Sequence, residues 1–198
     1  MNYLELVAVA LGVCSVWLVT RRDIRAFPVG IAMVGLYAYV FWRERLYSDM
    51  LLQGFFAVMQ AHGWVSWRRA AKAADRRISI RQMRGSQWVW TLVLLVAGTS
   101  ALGYLTSTYT DADIPWLDAF TTSLSVIAQI WLNRRYLDNW LLWIAVNIAY
   151  LFQYSFKSLY ITTGLYAVFL VMAVLGYRSW KAQFKIQNQG PTHGEFAI

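Results

Sequence analysis

The sequence predicts an all-α membrane protein of seven transmembrane helices in a 3 + 1 + 3 arrangement, with the amino terminus outside and the carboxyl terminus cytoplasmic. Three observations carry that expectation. Only 14% of the 198 residues are charged and 59% are hydrophobic, whereas a soluble domain has about 25% charged residues. The apolar residues fall in seven runs, roughly 3–19, 27–42, 50–67, 88–105, 116–132, 140–156 and 160–177, each near the length that crosses about 30 Å of hydrocarbon. Finally, the basic residues sort by side. Three lie between the first two runs, seven in 68–84, two at Arg134 and Arg135 and three after the seventh run, against Arg43, Arg45 and Lys157 opposite. Fifteen to three is a strong positive-inside bias, and one span more or fewer would mix the two sets.

Taken in order, the first run holds Cys14, the single cysteine, so an intramolecular disulfide is excluded. The second opens at Phe27-Pro28 and is apolar apart from its tyrosines, Tyr37 among them. The third places Gln53, Phe56, Gln60, Trp64 and Trp67 at spacings of 3, 4, 4 and 3, which is one helical face. The basic stretch 68–84 reads as the topological signal together with contact to anionic lipid, not as a nucleic-acid patch. The fourth run is apolar throughout. The sixth sets Trp140, Trp143, Asn147 and Tyr150 at i, i+3, i+7 and i+10, again one face. After the seventh, residues 181–198 turn polar and read as a disordered cytoplasmic tail.

A shift of 113 residues superposes 21–67 on 134–180 with 14 identities in 47 positions and no gap. Arg21-Arg22 falls on Arg134-Arg135, Tyr37 on Tyr150, Leu46-Tyr47 on Leu159-Tyr160, Gly63 on Gly176 and Ser66-Trp67 on Ser179-Trp180. The matched arginine pairs lie on one side, so the units are parallel, and the unpartnered fourth run restores the orientation. The expected units are 1–70 (three helices), 71–107 (basic loop and linker helix), 108–180 (three helices) and the tail 181–198. Parallel repeats of this kind occur in transporters, with the substrate near the midplane between them.

Ionisable residues inside a membrane mark ion pathways, and here Glu5, Arg43, Glu44, Asp49, Asp118, Asp138 and Lys157 all fall at run ends or in loops. That placement argues against a carboxylate-coupled pump. His62 and His193 are far apart, and no metal spacing, phosphate loop or nucleophile elbow occurs, so neither an enzyme nor a metal site is expected. The candidate binding residues are therefore neutral and aromatic: Trp140, Trp143, Asn147 and Tyr150 from the second unit, and Tyr37, Gln53, Gln60 and Trp64 from the first. Simpler roles compete. Trp140 and Trp64 sit near helix ends where interfacial tryptophans collect, as do Trp67 and Trp180, which read as belt residues, and Gln53 could simply bond across helices. Trp143 and Asn147 are deeper and are less well explained by packing. Indole faces with neutral amides suit a small aromatic cation; a sugar fits less well and an anion poorly.

These residues resemble the PnuC family of bacterial vitamin transporters over nearly the whole chain. The resemblance rests on the WxxWxxxN pattern of Trp140, Trp143 and Asn147, on Leu46-Tyr47 followed by Leu51-Leu52-Gln53, and on Gly63-Trp64. It implies a fold related to the SWEET sugar transporters, homotrimers in the inner membrane with one path per protomer, and no cofactor. It also implies facilitated diffusion of a B vitamin that is trapped inside by phosphorylation. Members carry nicotinamide riboside, thiamine or riboflavin. Riboside carriers have an Asn in the second helix, where this chain has Met33, and Asn-x-Tyr-Gly-Trp in the third, where it has Gln60-Ala61-His62-Gly63-Trp64. An unpaired polar group in a dry site costs about 1–3 kcal/mol, so the lost amide suits a substrate with fewer hydroxyls. Thiamine is the expected substrate, with nicotinamide riboside the alternative, ahead of riboflavin or a receptor that does not transport.

Overall fold

The computed structural model describes residues 3–43, 47–73, 78–110, 114–156 and 160–189. Leu46, Leu159, Glu44, Arg45, Lys157 and His193, named above, lie outside them, as do Arg76 and Arg77 of the basic stretch. The described residues form seven α-helices and no strand: α1 (Tyr3–Thr20), α2 (Ala26–Arg43), α3 (Tyr47–Ala73), α4 (Gly85–Tyr109), α5 (Pro115–Asn133), α6 (Asn139–Phe156) and α7 (Tyr160–Asn188). At 1.5 Å per residue the 18-residue α1, α2 and α6 are each about 27 Å long, close to a hydrocarbon core. By length and composition alone, α4 and residues Thr162–Asn188 are long and apolar enough to cross a bilayer. In α5 a buried polar stripe dilutes the apolar character.

The helices close a ring. Among the described residues α1 packs on α2, α2 on α3, α3 on α5, α5 on α6, α6 on α7 and α7 back on α1, while α4 packs on the outside of α5. Leaving α4 aside, a displacement of 113 residues carries the neighbours of α1, α2 and α3 onto those of α5, α6 and α7.

The correspondence extends to single hydrogen bonds. α1 and α5 end in the same way, with Arg22 and Arg135 in the left-handed region at φ 59° and 64°. Asp23 N–H bonds the Leu18 carbonyl and Tyr136 N–H the Trp131 carbonyl, each closing a Schellman-type cap. Glycine usually holds that position because a side chain strains it. Here the arginine side chains reach to the adjacent helix of the other unit. Arg22 Nη2 donates to Gln183 Oε1 on α7 (3.3 Å), and Arg135 Nη1 donates to the carbonyl (3.3 Å) and Oγ (3.2 Å) of Ser66 on α3. Burial lowers the affinity of both guanidiniums for their protons, and the neighbouring charge of Arg81 adds to this at Arg135.

The last carbonyls of a helix lack partners within it. In α5 and α1 they are supplied from the adjacent helix of the other unit. Trp67 Nε1 donates to the Leu132 carbonyl (3.3 Å) and Ser66 Oγ to that of Asn133 (3.1 Å); Trp180 Nε1 donates to that of Val19 (3.1 Å) and Ser179 Oγ to that of Thr20 (3.2 Å). Each member of the first pair is the 113-residue counterpart of one in the second. Trp67 and Trp180 meet at 5.8 Å between ring centroids, with Phe27 edge-on to Trp67 (5.1 Å) and Trp140 edge-on to Trp180 (5.6 Å). Phe27 and Trp140 are themselves counterparts. This four-ring row fills the ring at the end where Arg21 and Arg134 lie. Trp67 and Trp180 have no exposed surface at all, which corrects their reading as interfacial belt residues. Gly63 and Gly176 make the row fit: a Cβ on Gly63 would run into Phe27 and Asn133, and one on Gly176 would lie 2.6 Å from the Trp140 ring.

The reading of 181–198 as disordered also needs correction for the part described, because α7 continues as helix to Asn188. The extension has a task. Gln187 pairs in both directions with the backbone of Ile80, accepting from its N–H (3.0 Å) and donating to its carbonyl (3.2 Å). Residues 78–84 then run along the α5–α6 turn. Arg81 N–H bonds the Arg135 carbonyl, Leu137 N–H bonds the Arg81 carbonyl, and Met83 N–H donates to the Asp138 carboxylate (2.6 Å).

Candidate functional site

The sequence-derived residues do not share one environment. Trp140, at 2% exposure, is walled in by Trp180 and Gly176, and its indole N–H has no partner. It is part of the four-ring row. Trp143, one turn further along α6, is half-buried and packs on both apolar clusters of the protein, the one around Trp67 and Trp180 and the one around Trp131 and Val146. Asn147 follows, buried, with its amide Nδ2 donating to the Trp143 carbonyl (2.7 Å). That bond uses one of the two amide hydrogens.

From the first unit, Gln60 and the buried Ser15 hydroxyl both lie against Gly30: a Cβ there would be 2.6 Å from the Gln60 amide nitrogen and 3.1 Å from Ser15 Oγ. Ser15 itself donates to the Ala26 carbonyl (2.9 Å). The counterparts are reversed in size. Where the first unit has Gly30 facing Gln60, the second has Trp143 on α6 and the buried Ala173 on α7. Trp64 is half-buried against the Trp67 cluster and carries Arg68 over its ring at 5.7 Å; its counterpart Tyr177 carries Lys181 at 5.4 Å. Gln53 is half-buried on α3, two turns from Gln60.

Tyr150 and Tyr37 are drawn together through residues that the spacing analysis left out of the site. Tyr150, Tyr154 and Tyr166 form a triad with centroids 4.6–5.6 Å apart, and Tyr154 is stacked on both others at interplanar angles of 26° and 17°. The Tyr150 hydroxyl lies near the Thr121 and Ser125 side chains. Tyr37 on α2 comes within electrostatic reach of Tyr166. Since α2 packs on neither α6 nor α7, that approach crosses the interior of the ring. Phe169 extends the group at 5.9 Å from Tyr166, and its ring reaches to 3.7 Å from a Cβ placed on Gly12 of α1, beside the Met33 sulfur. The triad therefore faces the middle of the ring, in the half away from the four-ring row. Beside it the Asp118 carboxylate, in the first turn of α5, accepts from Gln153 Nε2.

A second missed feature is a stripe at four-residue spacing along α5, Thr121, Ser125, Gln129 and Asn133, every member buried. The hydroxyls back-bond to carbonyls one turn earlier, a common way of satisfying them in apolar surroundings. Gln129 donates to Asn133 Oδ1 (3.0 Å), and Asn133 Nδ2 donates to the Met59 carbonyl (2.9 Å) and lies 3.5 Å from His62 Nδ1. The stripe thereby ties α5 to its neighbour α3.

Residues 2–182 match the family of proteins described as nicotinamide mononucleotide transporters. The nicotinamide riboside transporter PnuC of Neisseria mucosa is 30% identical over 194 residues, covering 90% of this chain and 72% of its own length. PnuC of Escherichia coli K12 is 24% identical over 205 residues, covering 91% and 85%. The riboflavin/roseoflavin transporter RibM of Streptomyces davaonensis is 25% identical over 182 residues, covering 90% and 81%. The crystal structure of the vitamin B3 transporter PnuC superposes with a TM-score of 0.75 at 27% identity, covering 93% of this chain and 83% of that one. With a seven-helix ring of the same shape and a family match over nine-tenths of its length, the chain belongs to the PnuC family of membrane transporters.

Proposed function

We propose that this protein carries nicotinamide riboside across the bacterial inner membrane by uncoupled, facilitated diffusion, the substrate being trapped inside by phosphorylation. The observation that carries the substrate is the set of relatives, which bear the name nicotinamide riboside transporter at up to 30% identity over nine-tenths of the chain. They favour the riboside over the thiamine expected from Met33 and Gln60. A polar partner for a ribose is supported by Asn147, whose second amide hydrogen remains for a ligand, and by Gln60 and Ser15 gathered at Gly30.

The reading assigns ring stacking to Trp143, hydrogen bonding to Asn147, Gln60 and Gln53, and the outer wall to Tyr37 and Tyr150, with Trp64 beside them. Trp140 belongs to the floor. The 3 + 1 + 3 parallel repeat is supported by the matched caps and the crossed indole bonds. The Arg21 and Arg134 end would be cytoplasmic, with the four-ring row as its closure, opened when α1–α3 rock against α5–α7. Purified protein in liposomes should equilibrate labelled nicotinamide riboside without an ion gradient. Accumulation above the outside concentration under a proton gradient would sink the uncoupled mechanism, and no movement at all would sink transport of this substrate.

A further inference from the structure

We infer that Asp118, Gln153 and the Tyr150–Tyr154–Tyr166 triad form a cation-selective subsite at the outer half of the ring, which takes a flat, positively charged heteroaromatic ring and discriminates against its neutral counterpart. The inference deepens the proposed function and rests on it.

The argument begins with Gln153, at 5% exposure. Its Nε2 donates to the Asp118 carboxylate, and its Oε1 has no partner. Burying an amide oxygen without a partner opposes stability, so packing alone does not account for the Gln153–Asp118 arrangement. The amide orients the carboxylate without neutralising it. Asp118 is half-buried and close enough to act electrostatically on Tyr150 and Tyr154. A carboxylate set beside several aromatic faces in a partly dry pocket attracts a delocalised cation twice, through its charge and through the ring quadrupoles.

Geometry then selects a flat ligand. The three tyrosines come from α6 and α7, face the interior of the ring and stand at stacking separations. Tyr154 joins the other two, stacked on both. Its position continues the α6 face: Trp143, Asn147, Tyr150 and Tyr154 fall at i, i+4, i+7 and i+11. A ring held at the triad is thus aligned with the deeper Asn147 and Trp143. Nicotinamide riboside bears a fixed charge on its pyridinium ring, whereas its 1,4-dihydro form has nearly the same outline and no charge.

The test is calorimetric titration of the full-length protein in lipid nanodiscs with both compounds. The wild type should bind the pyridinium at least about tenfold more tightly. Asp118→Asn, which still accepts the Gln153 bond and removes only the charge, should weaken pyridinium binding by about tenfold and leave the dihydro form within about twofold. Asp118→Glu should restore the preference, which a purely structural role for Asp118 would not require. Tyr154→Leu should weaken the cation more than the neutral form. An unchanged cation-to-neutral ratio in Asp118→Asn overturns the subsite and leaves the transport reading standing. A wild type that binds neither compound overturns both.

Discussion

The α1–α3 and α5–α7 halves of the ring make matching contacts at one end and carry different residues at the other. At the Arg21 and Arg134 end the α1–α3 and α5–α7 halves agree cap for cap, with the same left-handed arginine, the same crossed indole and serine bonds, and a glycine under an aromatic ring, Phe27 in one half and Trp140 in the other. Two turns further in, Val34 and Asn147 are both buried counterparts of opposite polarity, and Gly30 facing Gln60 becomes Trp143 beside Ala173. Further from that end the second unit adds three clustered tyrosines. Closure of the ring requires the halves to match, because each provides what the other lacks. A ligand without two-fold symmetry needs them to differ. The boundary between matching and differing residues marks where structural duty gives way to recognition.

Several substitutions probe that boundary. Trp67→Ala and Trp180→Ala remove counterpart residues from the shared end and should each cost about 3–5 kcal/mol, read as comparable drops in thermal unfolding of detergent-purified protein. A large cost for one and little for the other would break the equivalence. Asn147→Leu makes the second unit resemble Val34 of the first, and riboside uptake in liposomes should fall by at least about tenfold while unfolding shifts by under about 1.5 kcal/mol. Unchanged uptake would remove Asn147 from the site. Trp140→Phe imitates Phe27 and deletes an orphan N–H. Lost area and relieved desolvation then nearly cancel, so stability should stay within about 1 kcal/mol, and uptake should survive if this ring is floor. The smallest effect is expected at Asp23. The hydrogen bond from Arg25 holds its carboxyl below the usual range, so the contribution is present at neutral pH and is lost as acidification protonates the group. The Arg25 member of the pair is exposed to water, and Asp23→Asn should leave the unfolding temperature at neutral pH unchanged within error.

Much of this was legible in the sequence. The arginine pairs, the Ser-Trp pairs and the glycines gave the 113-residue correspondence because capping and close contact demand particular residue types. The Trp143–Asn147–Tyr150 face was visible because helical spacing is local. The roles of Trp67 and Trp180 were not, since an indole near a helix end looks alike whether it meets lipid or its own counterpart. The α5 stripe escaped because two of its members are small hydroxyl residues in an apolar run, and Tyr154 because its partner Tyr166 is on another helix. The helical tail was misread because its polar composition hides a bond to the backbone of Ile80, which no pattern of side chains announces.

The crossed bonds also impose an order in time. The carbonyls that end α5 are met by Ser66 and Trp67, which have already been synthesised when α5 emerges, so this turn can be completed at once. The carbonyls that end α1 must wait for Ser179 and Trp180, about 160 residues later. A nascent chain therefore inserts its first helices with an unfinished turn, and the arrival of the last helix finishes the first. A chain stopped before Ser179 would keep most of its apolar helices and still lack the closure of its opening turn. The turn that ends α1 is thus completed only once α7 is in place.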